Sequence, residues 1–97
     1  MLAHDFKTVR KIVLGRLRPR DAKVYLFGSH ATGKARVHSD IDIAVLPLRR
    51  LPSTLLTEIR EMLDESDVVR SVDIVDLSQT DAAFRRRVQK EGVLWKE

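Results

Sequence analysis

Apolar positions along this chain recur in two periods, and the switches between them mark its elements. In "DFKTVRKIVLGRL", Phe6, Val9, Ile12, Val13 and Leu17 fall at helical spacing, and the proline of "RPRD" ends the pattern. "KVYLFG" predicts a strand from Val24 to Phe27, stopped by Gly28 and followed by a polar connection, "SHATGKARVHS". "DIDIAVL" alternates strictly: Asp40, Asp42 and Ala44 face one way, Ile41, Ile43 and Val45 the other. Pro47 and Pro52 bracket a basic loop. "STLLTEIREMLDES" then predicts a helix capped by Ser53 or Thr54, with Leu55, Leu56, Ile59, Met62 and Leu63 as its buried stripe. "VRSVDIVDL" predicts a third strand, and "SQTD" (Ser78 to Asp81) has the form of a capping box. The helix after it turns Phe84 and Val88 inward and stops at Gly92, leaving Val93 to Trp95 as a short terminal strand. The predicted class is α/β (α+β), a small mixed sheet flanked by helices in one domain over residues 1–97.

Composition narrows the function classes. A chain of 97 residues, 43% hydrophobic and 33% charged, has the balance of a soluble folded domain. Without cysteine it has neither a disulfide scaffold nor a cysteine–zinc site. Its apolar runs are too short for a membrane span and its first residues do not form a signal peptide, so the expected compartment is the cytoplasm. The net charge of +4 gathers at "GRLRPR", "LRR" and "FRRRVQK", which read as solvated faces and helix ends before they read as binding patches. One Trp, one Tyr and no aromatic–basic interleaving argue against a nucleic-acid platform.

The chemistry concentrates in "LFGSHATGKARVHSDIDIAVL" (Leu26 to Leu46). Gly28-Ser29, directly after a strand, permits a sharp turn whose amides and hydroxyl can donate to phosphate oxygens. Asp40 and Asp42 share one strand face, where oxygen-only ligands with open positions suit Mg²⁺. Their desolvation and mutual repulsion require a cation between them. In "VDIVDL", Asp73 could complete a carboxylate triad, whereas Asp76 faces away and reads as a strand-end acid. His30 and His38 flank the motif and could contact phosphate or an acceptor, but read first as solvent-facing loop residues, and His4 reads as a surface residue of the first helix.

A hydrophobic-Gly-Ser turn, Asp-x-Asp in a strand ten residues on, and a lone Asp in a later strand together resemble the nucleotidyltransferase superfamily of DNA polymerase β. The chain has the size of its smallest members, the minimal nucleotidyltransferases, and the likeness runs from Val24 through Trp95. The resemblance implies a polymerase β palm-like fold and transfer of a nucleoside monophosphate from an NTP to a hydroxyl by two Mg²⁺ ions. It implies that Gly28 and Ser29 hold the β- and γ-phosphates, that Asp40 and Asp42 bridge both ions, and that Asp73 ligates the ion activating the acceptor. Relatives of this size form two-gene modules with an all-helical HEPN toxin, which implies a HEPN-type partner, ATP as donor and an antitoxin role. The alternative within that setting is a non-catalytic antitoxin that neutralises its partner by binding alone. Thr32 stands where many relatives carry Arg, which removes a permanent cation that Lys34 or Arg36 could replace. At this length templated synthesis is not expected, because fingers and thumb need a longer chain, and the added domain of antibiotic-modifying relatives is not expected either. Self-association stays open.

Overall fold

A computed structural model describes residues 2–96. The helical stripe of the N-terminal segment becomes α1 (Leu2–Arg16), which buries Val9 and Val13, and the period-two segments become strands. β1 (Ala22–Phe27) is followed by a single turn of helix, α2 (Ser29–Thr32), then β2 (Ile41–Pro47), α3 (Leu55–Asp64) and β3 (Val72–Asp76). A 3₁₀ turn at Leu77–Gln79 leads into α4 (Ala82–Glu91) and β4 (Val93–Trp95). The strands form one four-stranded sheet in the order β3-β2-β1-β4; β2 and β3 run parallel, and β1 is antiparallel to both β2 and β4. The expected mixed sheet flanked by helices is therefore present.

Alternation gives each face of the sheet its own cover. Val24, Leu26, Ile41, Ile43, Val45 and Ile74 pack with Val9 and Val13 of α1, with Leu17 just beyond it, and with Ile59 and Leu63 of α3. Tyr25 and Ala44, on the opposite face, pack with Leu77 and with Val88 of α4. The tight seat of α4 depends on Gly92, where a Cβ would lie 2.5 Å from the Val88 carbonyl and 3.1 Å from that of Leu26.

Local details depart from the sequence reading at the connection after Gly28, at Met62 and at Ser78, and they settle the cap of α3. The "polar connection" opens with α2, because the Gly28 carbonyl accepts from the amides of Ala31 and Thr32 at 3.0 and 3.1 Å. Of the two candidate caps of α3, the structure uses Thr54, whose hydroxyl reaches Glu58 Oε1 at 3.3 Å instead of a backbone amide. Met62 is 37% exposed, outside the buried stripe. Ser78 does not cap α4: it sits inside the 3₁₀ turn, where Asp76 Oδ1 accepts from its amide and hydroxyl. Asp81 caps α4, taking the Phe84 amide at 2.7 Å. An Asp at that position supplies the acceptor itself, so Ser78 is released to the preceding turn.

A carboxylate that the periodicity concealed holds the approach to β3. Asp5 shares the inward face of α1 with Val9 and Val13 and is 1% exposed. Its oxygens accept from the amides of Val69 and Arg70, each at 3.3 Å, and from Arg70 Nη1 at 3.1 Å. Burial pushes the Asp5 carboxyl up, but the two amides and the guanidinium outweigh it and hold the group below the usual carboxylate range. At the other end of the sheet Asp21 accepts from the Arg18 amide and from Arg49 Nε at 2.7 Å, tying the start of β1 to the loop beyond β2. Because the folded Asp5 pKa is depressed, its stabilisation is complete above the ordinary carboxylate pKa and disappears as pH falls through the lowered value. Asp5→Ala should lower the unfolding free energy at pH 7 by about 1–3 kcal/mol, the cost of leaving buried donors without an acceptor. Urea titrations should show the gap to the parent narrowing in strong acid.

Candidate active site

The site is built at the end of the sheet where β1 runs out and β2 begins. Gly28, directly after Phe27, has φ 75° and ψ −153°, a conformation open essentially to glycine alone. A second demand falls on the same atom. A Cβ placed on Gly28 would lie 2.3 Å from Asp42 Oδ2, so the carboxylate occupies the space that any other side chain needs. The turn and the acid are thus in direct contact. Beyond it, α2 closes at Gly33, whose amide donates to the Ser29 carbonyl.

The sheet register aligns the acids. Phe27 pairs with Asp42 across β1–β2, and Asp42 pairs with Asp73 across β2–β3, so the three form one row on the α4 side of the sheet. Asp42 is half-buried, whereas Asp40, just ahead of β2, and Asp73 are exposed. The Ile41 amide donates to the Ser71 carbonyl at 2.9 Å, locking the starts of the two strands together. Asp76 pairs with Val45 at the far end of its strand, away from the row. The sequence-predicted residues Gly28, Ser29, Asp42 and Asp73 therefore converge, with Asp40 flanking them.

Charge within the row is not balanced. Burial pushes the Asp42 carboxyl up first, repulsion from Asp73 and then Asp40 adds to it, and His30 opposes the shift. Among the described residues, no group of three or more His, Cys, Asp or Glu side chains is drawn together closely enough to cage a metal ion. Asp40, Asp42 and Asp73 stand as neighbouring oxygen donors whose repulsion a hard divalent cation would relieve, which fits Mg²⁺ chemistry.

Two residues take roles that the sequence reading missed. His30 is not a solvent-facing loop residue: it lies half-buried in α2 and donates from Nε2 to the Ser39 carbonyl at 3.1 Å. Its ring meets Phe6 of α1 edge-on at 5.3 Å. His30 thus ties the Gly-Ser turn to the residue before Asp40. Asp5 acts from the other side, anchoring the segment that leads through Ser71 to Asp73. The signal for Asp5 was visible as a carboxylate at i, i+4 spacing with Val9 and Val13; the bond made by His30 spans nine positions and had no local signature. His38 is exposed and lines a shallow cavity with Asp40, while His4 is exposed and donates to Asp67 at 2.9 Å.

Comparison with known proteins places this geometry. Residues 18–97 match the family described as "Polymerase beta, Nucleotidyltransferase". The "Probable protein adenylyltransferase MntA" of Haemophilus influenzae is 34% identical over 87 residues, which span 90% of this chain and 75% of that one. The "Protein adenylyltransferase MntA" of Shewanella oneidensis is 36% identical over 78 residues, 79% of this chain but only 55% of the relative. Among solved structures, a tri-AMPylated Shewanella oneidensis HEPN toxin in complex with MNT antitoxin contains a similar chain. It gives a TM-score of 0.68 at 28% identity, covering 100% of this chain and 74% of that one.

The Gly28–Asp42 contact yields a cycle of variants. Gly28→Ala should cost about 1–3 kcal/mol from backbone strain alone, with the clash adding to it. In an Asp42→Ala background the clash component should vanish and the strain remain, so chemical denaturation should show the double variant losing less stability than the sum of the two single changes. Asp42 also sets a pH trend. With its folded pKa raised, the ionised carboxylate costs stability as pH climbs above the ordinary carboxylate value, and the cost is complete above the raised one. Asp42→Asn should therefore melt higher than the parent at pH 7 without divalent cations, and lose that advantage at acid pH; equal melting temperatures at pH 7 would contradict the repulsion.

Proposed function

The chain belongs to the polymerase beta nucleotidyltransferase family, and from that premise we propose that it moves AMP from ATP to a hydroxyl of a HEPN-type partner protein. The observation that carries the reading is the contact between the Gly28-Ser29 turn and Asp42, continued by register to Asp73. It joins a phosphate-accepting turn to a row of unneutralised carboxylates. The adenylyltransferase relatives and the AMPylated HEPN toxin complex support the choice of AMP and of partner class.

In this reading the amides of the turn and the Ser29 hydroxyl bind phosphate oxygens and orient the nucleotide with its α-phosphorus toward Asp42. Asp40, Asp42 and Asp73 would hold Mg²⁺, which when bound would lower the pKa of the acceptor hydroxyl and neutralise charge on the departing pyrophosphate. Asp73, exposed on the edge strand β3, faces the incoming acceptor and receives its proton. The acceptor oxygen bonds to the α-phosphorus as the bond from that phosphorus to the bridging oxygen breaks, and pyrophosphate leaves on the side of Ser29. The half-buried position of Asp42 limits water at the reacting centre, and the Asp5 and His30 tethers keep both strand starts in register.

The protein co-purified with a HEPN-type partner, incubated with Mg²⁺ and each NTP in turn, should add nucleoside monophosphate to the partner, with ATP the preferred donor. Intact-mass spectrometry reads the outcome directly. Asp73→Asn should reduce transfer by at least about 100-fold, the scale of several kcal/mol of lost charge stabilisation, while circular dichroism stays that of the parent. A complex that silences its partner with both masses unchanged, in parent and variant alike, would replace transfer with neutralisation by binding alone.

A further inference from the structure

Beside the Gly-Ser turn lies a cavity of about 400 Å³ that Asp40, Asp42 and Asp73 do not line. Ser29 and Lys34 line it from the turn and the strand-connecting segment, Arg87 and Glu91 from α4, and Phe27 and Phe84 form its apolar floor. The two rings meet edge to face at 5.8 Å. Thr32 also lines the cavity, but its hydroxyl donates back to the Gly28 carbonyl at 3.3 Å and it brings no charge. Arg36 is not among the lining residues. The cations that face this space are Lys34 and Arg87.

We propose that Arg87, reaching across from α4, clamps the triphosphate of the bound nucleotide together with Lys34. The proposal deepens the nucleotidyltransferase reading and rests on it. Arg87 is available for exchange: its Nε lies 3.4 Å from Glu91 Oε2 and its side chain is 74% exposed, and a long ion pair in water contributes little. A polyphosphate oxygen pair matches the guanidinium fork, and Lys34 adds a point charge on the opposite wall. The apolar floor strengthens both interactions by keeping water from one side of the ligand. The cavity also includes Gly28, which touches Asp42, so a polyphosphate lying there has one end at the acid row. Glu91 opposes the ligand and competes for Arg87.

Calorimetric titration of the full chain with inorganic tripolyphosphate, ATP and AMP, at fixed Mg²⁺ and low ionic strength, tests the clamp. Arg87→Ala should weaken tripolyphosphate and ATP by about 10-fold, the scale of one charge-assisted hydrogen bond, and AMP by less. Arg87→Lys should recover part of the loss, and Glu91→Gln should tighten tripolyphosphate binding. Arg86→Ala is the charge-matched control, because Arg86 is exposed on the same helix and does not line the cavity. Circular dichroism verifies that each variant folds. Equal losses in Arg87→Ala and Arg86→Ala, with the parent binding ATP, would overturn the clamp and leave the nucleotidyltransferase reading standing. A parent that binds neither ATP nor tripolyphosphate would overturn both.

Discussion

The carboxylate of Asp42 stands where a side chain on Gly28 would have to be, and much else follows from that contact. It forces glycine at the end of β1, in a backbone conformation that other residues avoid. It also fixes the register, since Phe27 must pair with Asp42 for the turn to meet the acid at all. A slip of one residue would send Asp42 to the core face that Ile41 and Ile43 now occupy, and bring those two out to the turn. The position of Asp73 is then set by parallel pairing, and that of Asp40 by the chain itself.

The molecule treats its acids in two ways, and the contrast separates scaffold from site. Asp5 and Asp21 are buried and matched: each accepts from backbone amide and arginine, and each is held below the usual carboxylate range. Backbone amides contribute to both, as the Val69 and Arg70 amides do for Asp5 and the Arg18 amide for Asp21. Asp42 is pushed the other way by burial and by like charges, with His30 as the counterweight. A fold that can neutralise a carboxylate at two places and leaves a row of them unneutralised at a third has its repulsion where a divalent cation would relieve it.

The sheet and the acid row were legible because strand alternation is a local code. Ile41, Ile43 and Val45 against Asp42 and Ala44 settles which way the acids face, and the same reasoning places Asp73. Where several local signals competed, the reading erred. "SQTD" satisfies a capping-box pattern from Ser78, yet Asp81 is the better acceptor and takes the helix start. The connection after Gly28 was polar enough to read as loop, but a glycine carbonyl with two amides in reach winds it into α2. His30 and Arg87 were illegible for another reason. Their meaning lies in contacts between elements distant in sequence, with Ser39 and Phe6 in one case and with the cavity beside Ser29 in the other. Asp5 falls between these cases: an acid on an apolar stripe was visible, but not what it would bind.

α4 shows how covering a sheet and opening a site can be one packing problem. The face that carries Asp42 also carries Tyr25 and Ala44, which must be buried, so a helix is needed over part of it. Asp81 starts that helix beyond the 3₁₀ turn, Val88 meets Tyr25 and Ala44, and Gly92 lets its last turn settle against the Leu26 carbonyl. The cover therefore ends at Phe27, whose ring meets Phe84 and goes no further toward the acids. Helical spacing then turns Arg87 and Glu91 to the rim of the cavity while Phe84 and Val88 hold the sheet. A charged wall beside the Gly-Ser turn thus arises as the outer flank of the stripe that the sheet requires, and chemistry there is shaped by the choice of residue at the rim, with the packing residues left unchanged.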